Sequence, residues 1–218
     1  MDGFHFMKGF RNYMDDFFIR MACLEDSEAL TEIHCSALPD DLLPKLGKKY
    51  IKNVYYSKVL KSKYAITMLL EKGEIPVSFV TFTLEPEKLL IEIKKQKIAL
   101  LLALIKNSFS QPGIVPSLWN NMNTKTHFDG NINPVDFPEL FFIASVPDQQ
   151  GKGLGKMLIK KGLQELEHIS EKPGCIVKTS SESAFRFYIR EGFKEIGYEM
   201  RGSRKFCILC FSFNRDFA

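Results

Sequence analysis

The stretch Gln150-Gly151-Lys152-Gly153-Leu154-Gly155 constrains this chain more than any other, because of what flanks it. An apolar run, Leu140-Phe141-Phe142-Ile143-Ala144-Ser145-Val146, leads in, and Pro147-Asp148 breaks it. A helical pattern carrying Met157, Leu158, Ile159, Leu163 and Leu166 leads out. Strand, glycine-rich turn and helix in this order can seat a pyrophosphate. The glycines let the backbone come close, and free amides at the helix start point at the anion.

Two familiar phosphate loops do not fit. A P-loop follows Gly-Lys with a hydroxyl residue that reaches a magnesium ion. Here Met157 follows Gly155-Lys156, and Gln150 stands where the first glycine belongs. A dinucleotide fingerprint needs a further glycine where Lys156 stands. What remains is Gln-x-x-Gly-x-Gly at Gln150, Gly153 and Gly155. Downstream, Ser183-Ala184-Phe185-Arg186-Phe187-Tyr188-Ile189-Arg190-Glu191-Gly192-Phe193 sets Ala184, Phe187 and Tyr188 on one helix face. Gly192 then serves as a left-handed stop, and Phe193 opens the next strand.

These two elements resemble the coenzyme A loop and the Ala-x-x-Phe-Tyr-x-x-x-Gly-Phe element of the GNAT acetyltransferases. Phe18 to Ala22 and Asp26 to Ile33, with Asp26 as N-cap, resemble the opening strand and first helix of that family. The resemblance covers residues 18–85 and 138–213. It implies an α/β GNAT fold: a mixed, mostly antiparallel central sheet, splayed between the fourth and fifth strands and flanked by helices. It also implies one acetyltransferase domain over 1–218, with residues 85–137 a helical insertion between the third and fourth strands.

The activity implied is N-acetyl transfer from acetyl-CoA, as co-substrate, to an amine by direct attack in a ternary complex, without a metal. By the same resemblance, the backbone of Ile143, Ala144 and Ser145 binds the pantetheine arm. After Gln150, the loop Gly151, Lys152, Gly153, Leu154, Gly155 and Lys156 holds the pyrophosphate. Tyr188 is the general acid, since a phenol is protonated at neutral pH and can protonate a departing thiolate. One departure stands out. The family often carries asparagine where this chain has Ser181, and a hydroxyl cannot reproduce both amide contacts. Ser180 and Ser183 are placed to share that task. For the general base the sequence singles out no residue: Glu139, Glu85 and His127 are conceivable, and a water-mediated base or an amine arriving neutral needs none of them.

The remaining chain reads as a hairpin and core elements around these motifs. Leu43 to Val59 predicts one amphipathic helix with lysines on its outer face. Tyr64 to Glu71 and Ile75 to Leu84 predict a hairpin about Lys72-Gly73-Glu74. Strands follow at Pro138 to Val146, Cys175 to Lys178, Phe193 to Met200 and Lys205 to Phe213, with helices at Gly153 to Ser170 and Ser181 to Glu191. Within the insertion, Leu89 to Ser108 reads as helical, interrupted at Lys94-Lys95-Gln96-Lys97. A loop with Pro112-Gly113, Trp119 and Pro134 follows.

Composition narrows the partners. The 218 residues are 45% apolar and 26% charged, ordinary for a soluble globular chain. A net charge of +4 on dispersed basic residues suits an anionic cofactor and does not point to nucleic acid. No basic-then-apolar leader opens the sequence, so a cytoplasmic protein is expected. The five cysteines have no disulfide-framework spacing, and Cys207-Ile208-Leu209-Cys210 lies in a strand-like run whose ends face opposite ways. All five are expected to act as small apolar residues.

The partner expected is a small-molecule or protein amine acceptor. Ile98 to Ile105 is too apolar to stand in water, yet far short of the roughly 20 residues a membrane span needs. Burial against the domain as an acceptor-side lid, or against a second copy in a homodimer, is the expectation, rather than membrane contact. Two alternatives stay open: a non-catalytic acyl-CoA-binding or regulatory module on this fold, and a peripheral membrane or partner-binding protein.

Overall fold

The structure, a computed structural model, describes residues 16–108, 116, 124–128 and 137–213. The loop with Pro112-Gly113, Trp119 and Pro134 lies outside the described residues. The first strand is β1 (Phe17–Met21), followed by helix α1 (Ser27–Ala37) and the short α2 (Leu42–Leu46). Lys48–Tyr50, a π-helical stretch Ile51–Tyr56 and Ser57–Val59 then run on as a continuous helix, α3. The hairpin is β2 (Ala65–Lys72) and β3 (Ile75–Thr83). Next come α4 (Pro86–Lys94), α5 (Lys97–Ser108), β4 (Thr124–Phe128), β5 (Glu139–Ser145) and α6 (Leu154–Ile169). The chain closes with β6 (Gly174–Thr179), α7 (Glu182–Arg190), β7 (Lys194–Arg201) and β8 (Arg204–Ser212).

The strands form one mixed sheet in the order β1-β2-β3-β5-β6-β8-β7-β4. Among the described residues every pairing is antiparallel except β5 with β6, which is parallel. Apolar alternation along the strands feeds two cores. On one face Val80, Phe82 and Leu140 meet Leu158, Ile159 and Leu163 of α6. On the other, Leu69, Phe79 and Ala144 meet Leu30 and Ile33 of α1 and Tyr56 of α3. Fully burying such a side chain is worth about 1.5–3 kcal/mol, so the two layers clamp β2, β3 and β5. The fit is close at Gly162 of α6, where an added Cβ would lie 2.2 Å from the Phe82 ring.

Three local expectations change. The helix expected from Leu43 to Val59 is divided at Gly47, whose φ of 87° is open to glycine and closed to most side chains. Beyond it the π stretch widens the helical turn, and the adjacent Tyr55 and Tyr56 are both buried. Asp26 stands at the N-cap of α1 but makes no capping bond. Its carboxylate instead accepts from Arg20 Nη1 and Nη2, at 2.7 and 2.8 Å, and from the Cys23 N–H at 2.8 Å. A guanidinium fork outbids a single helix amide for a carboxylate. Nor are all the cysteines apolar filler: Cys175 and Cys210 are buried, but Cys23 is exposed.

The segment between β3 and β5 divides between two places. Leu89 and Ile93 of α4 and Leu100, Ala103 and Leu104 of α5 join the core under α2 and α3. Asn107 Nδ2 donates to the Leu46 carbonyl at 3.0 Å, tying α5 to the end of α2. At the far edge of the sheet, β4 pairs antiparallel with β7, an added strand that sequence reading did not expect. The outer face of α5 leaves Ile98, Leu101, Leu102 and Ile105 exposed. Among the described residues, no helix is long and apolar enough to cross a membrane.

Candidate functional site

The sheet opens at β5. Its pairing with β6 is confined to Glu139 opposite Ile176 and Leu140 opposite Val177. At the same point the register with β3 shifts: Phe82 faces Leu140 and Thr81 faces Phe142, leaving Phe141 as an extra residue. A bulge bends the strand that carries it, and this one sits where β5 leaves β6. Beyond it Val146 N–H bonds Val77 O at 2.9 Å, and Ala144 pairs with Phe79. Antiparallel alternation therefore turns the Ala144 backbone toward β3 and those of Ile143 and Ser145 toward the gap. The Ala144 carbonyl also accepts from the Ser78 hydroxyl at 2.7 Å.

The glycine turn begins at the open end of that gap. Pro147–Gln149 forms a single 3₁₀ turn, and the Gln150 side-chain amide reaches back to donate to the Ser145 carbonyl at 3.0 Å. Gly151 and Gly153 hold left-handed φ values of 74° and 82°. Gly153 caps α6 without a side-chain bond, and the first ladder bond runs from Met157 N–H to Gly153 O at 3.2 Å. The amides of Leu154, Gly155 and Lys156 thus start the helix with no carbonyl four residues back to bond. An anion is favoured there by the amides and by the helix dipole. Lys152 Nζ rests on Gln149 Oε1 at 3.2 Å, and Lys156 Nζ lies 3.8 Å from Glu191 Oε1; both lysines are exposed. Gly155 faces inward, where a Cβ would stand 3.3 Å from the Phe187 ring and 3.6 Å from Ile143 Cδ1.

Helix α7 supplies the remaining sequence-derived residues. Ser181 is its N-cap, accepting from the Ala184 N–H at 3.4 Å, and its hydroxyl lies 2.9 Å from that of Ser183. Both serines are exposed beside the end of β6. Tyr188 is buried at 5% exposure among Phe187, Phe193 and the α6 core. Burial, helped by the neighbouring Cys175, pushes its phenol well above the ordinary value, so it holds its proton firmly.

The three base candidates separate. Glu85 is exposed and paired with Lys88. His127 lies on the outer strand β4, stacked on Tyr198 at 4.7 Å. Glu139 is buried where β5 and β6 still pair, 3.1 Å from Lys178 Nζ. Lys178 in turn is 3.5 Å from Glu199, which Arg201 also holds at 2.5 Å.

Sequence reading missed a second polar group on the same sheet face as α1. His34 is fully buried, with Nδ1 2.7 Å from the Tyr56 hydroxyl and Nε2 3.8 Å from Asp41 Oδ2. Its ring lies 4.7 Å from Phe142 of β5. A signal was present: His34 falls four residues after Leu30 on the buried stripe of α1.

Residues 138–204 match the family model described as an acetyltransferase (GNAT) domain. No curated protein matches the chain. Among solved structures, the ribosomal-protein-S18-alanine N-acetyltransferase of Escherichia coli is similar at 15% identity and a TM-score of 0.56, covering 93% of this chain and 98% of that one. Arabidopsis thaliana NAA60 in complex with acetyl-CoA is similar at 13% identity and a TM-score of 0.56, covering 91% and 99%. The PaiA N-acetyltransferase of Thermoplasma acidophilum in complex with coenzyme A is similar at 14% identity and a TM-score of 0.54, covering 90% and 99%. These structures share the fold, and the family model spans the strand, glycine turn and Tyr188 helix described above. Residues 138–204 thus carry the match to the GNAT acetyltransferase domain, and the chain shares the fold of these structures.

Proposed function

We propose that the protein transfers an acetyl group from acetyl-CoA to an amine by direct attack. The observation that carries this reading is the continuity of one surface. The gap edge of Ile143 and Ser145 runs through the Gln150 tie into the free amides of Leu154, Gly155 and Lys156. A pantetheine arm extended along a strand edge makes peptide-like hydrogen bonds there, and its pyrophosphate falls on the helix start. The similar structures that hold acetyl-CoA or coenzyme A support that choice of ligand.

In this reading Ile143 and Ser145 bind the arm through backbone groups, while Ala144 packs from behind. Gly151 to Lys156 hold the pyrophosphate, with Lys152 and Lys156 adding positive charge. Ser181 and Ser183 stand at the end of β6 where the arm passes. Thioester and amine held together react with an effective concentration far above that in solution. The carbon–nitrogen bond forms, the carbon–sulfur bond breaks, Tyr188 gives its proton to the departing thiolate, and the proton lost from the amine nitrogen restores the phenol.

The acceptor is an amine of a small molecule or a protein chain. Helices α4 and α5 form the acceptor-side wall, since they brace α2 and α3 next to the Phe142 side of β5. One observation favours a rival, a non-catalytic acyl-CoA-binding module: Glu139 is spent on Lys178. Thiol release from acetyl-CoA in the presence of defined amines separates the two. Release that depends on an amine and yields its acetyl derivative supports transfer, and binding of acetyl-CoA without any turnover supports the rival.

A further inference from the structure

We propose that His34 takes the proton of the acceptor's ammonium and that Asp41 is where this ammonium docks; the inference rests on the acetyl-transfer reading. Two buried polar atoms have no hydrogen-bond partner among the described residues, His34 Nε2 and the Tyr55 hydroxyl. Leaving such atoms bare is costly, so their retention together calls for a purpose. Both rings pack against Phe142, at 4.7 and 6.1 Å between centroids. In the acetyl-transfer reading the free edge of β5 presents the thioester, and Phe142 belongs to that strand. The cluster packs on the α1 face of the same strand.

Asp41 connects the cluster to solvent. Its side chain is 42% exposed, while that of His34 is wholly enclosed. Burial alone would raise the Asp41 carboxyl, but His34 and the Leu42 N–H outweigh it, and Arg201 adds to them. The net direction is down, so Asp41 is an anion at neutral pH and attracts a cationic amine. At 3.8 Å the Asp41–His34 separation is too long for a direct hydrogen bond and short enough for strong attraction. Among the described residues, Tyr56 of α3 touches His34 and Tyr55 packs beside Tyr56, both phenols held protonated by burial. From the sheet, β3 and β5 present Phe79 and Phe142 to His34.

The proton balance closes. An ammonium R–NH₃⁺ docked at Asp41 gives one proton to His34 Nε2, leaving neutral R–NH₂ and an imidazolium paired with Asp41. The amine lone pair then attacks the thioester carbonyl; as the carbon–sulfur bond breaks, Tyr188 protonates the thiolate, and the surplus proton on the new amide nitrogen restores the Tyr188 phenol, so the one net proton released is the one held by His34. For Nε2 to accept, the resting His34 must carry its proton on Nδ1 and donate it to the Tyr56 hydroxyl, 2.7 Å away.

Two measurements test this. Long-range proton–nitrogen NMR on the full chain reads the His34 tautomer. The expected result is a neutral ring protonated at Nδ1 at pH 7.5; a proton on Nε2, or on both nitrogens from pH 5 to 9, overturns the proposal. Thiol release from acetyl-CoA is then followed with spermidine, glucosamine and a peptide beginning with alanine. For any amine acetylated, Asp41→Asn should raise its KM at least tenfold. His34→Gln should lower kcat by about 100-fold and abolish the acidic limb of the pH profile, with acetyl-CoA binding unchanged. An unaltered amine KM in Asp41→Asn, or an intact acidic limb in His34→Gln, refutes it. Should His34→Gln fail to fold, the exposed Asp41 variant and the tautomer still decide. A folded wild type that does not bind acetyl-CoA overturns the acetyl-transfer reading itself, a result distinct from either outcome above.

Discussion

The Gln150 amide bonds the Ser145 carbonyl at 3.0 Å and thereby fastens the glycine turn to the open edge of β5. Gln150 is exposed, so the bond does little for the core. Its removal should be felt in ligand affinity instead. Gln150→Ala is expected to weaken acetyl-CoA binding about 3–10-fold, the worth of one hydrogen bond, with the melting temperature nearly unchanged. Calorimetry and a thermal melt check both halves. Unchanged affinity would mean that the tie does not shape the binding surface.

Tyr188→Phe removes the phenolic proton and keeps the ring in its packing against Phe187 and Phe193. Acetyl-CoA affinity and stability should stay close to wild type. The rate of acetyl transfer should fall on the order of tenfold to a thousandfold, the usual range for loss of a general acid. Single-turnover kinetics with any amine that is acetylated measures it. A variant as fast as wild type would reduce Tyr188 to a core residue.

Asp26 makes stability depend on acid. Hydrogen bonds from Arg20 hold its carboxyl down at about 2, against an ordinary 3.8. A depressed carboxyl contributes its full stability above the unfolded value and loses it as pH falls from there toward the folded one. Asp26→Asn should therefore cost up to about 2 kcal/mol at pH 7, and the difference from wild type should shrink between pH 4 and pH 2. Urea unfolding of both proteins across that interval tests it. A constant difference at all pH values would show that Asp26 acts by packing alone.

The glycine turn and the Tyr188 helix were legible because each element's chemistry is local. Gly153 and Gly155 sit at fixed spacing after an apolar strand, and Gly192 ends a helix whose apolar face is set by Ala184, Phe187 and Tyr188. The strand edges followed to within a residue or two for the same reason. What the sequence hid was set by distant partners. Asp26 reads as a helix cap until Arg20, on the neighbouring strand, is seen to take its carboxylate. β4 owes its place to the edge of β7, and its sequence of alternating polar residues carries no burial signal. His34 falls on the buried stripe of α1. Only the fold sets it against Tyr56, Asp41 and Phe142.

Titration calorimetry of acetyl-CoA into the wild-type chain and into Gly153→Val tests the central assignment most directly. Gly153 has open space around the position of a Cβ, so the substitution acts through its φ of 82°. A β-branched residue there costs roughly 1–2 kcal/mol of backbone strain and re-aims the amides that open α6. The expected result is saturable one-to-one binding by wild type and at least tenfold weaker binding by a variant that remains folded. A folded wild type that fails to bind, or equal binding by both proteins, would contradict the assignment of this surface to acetyl-CoA.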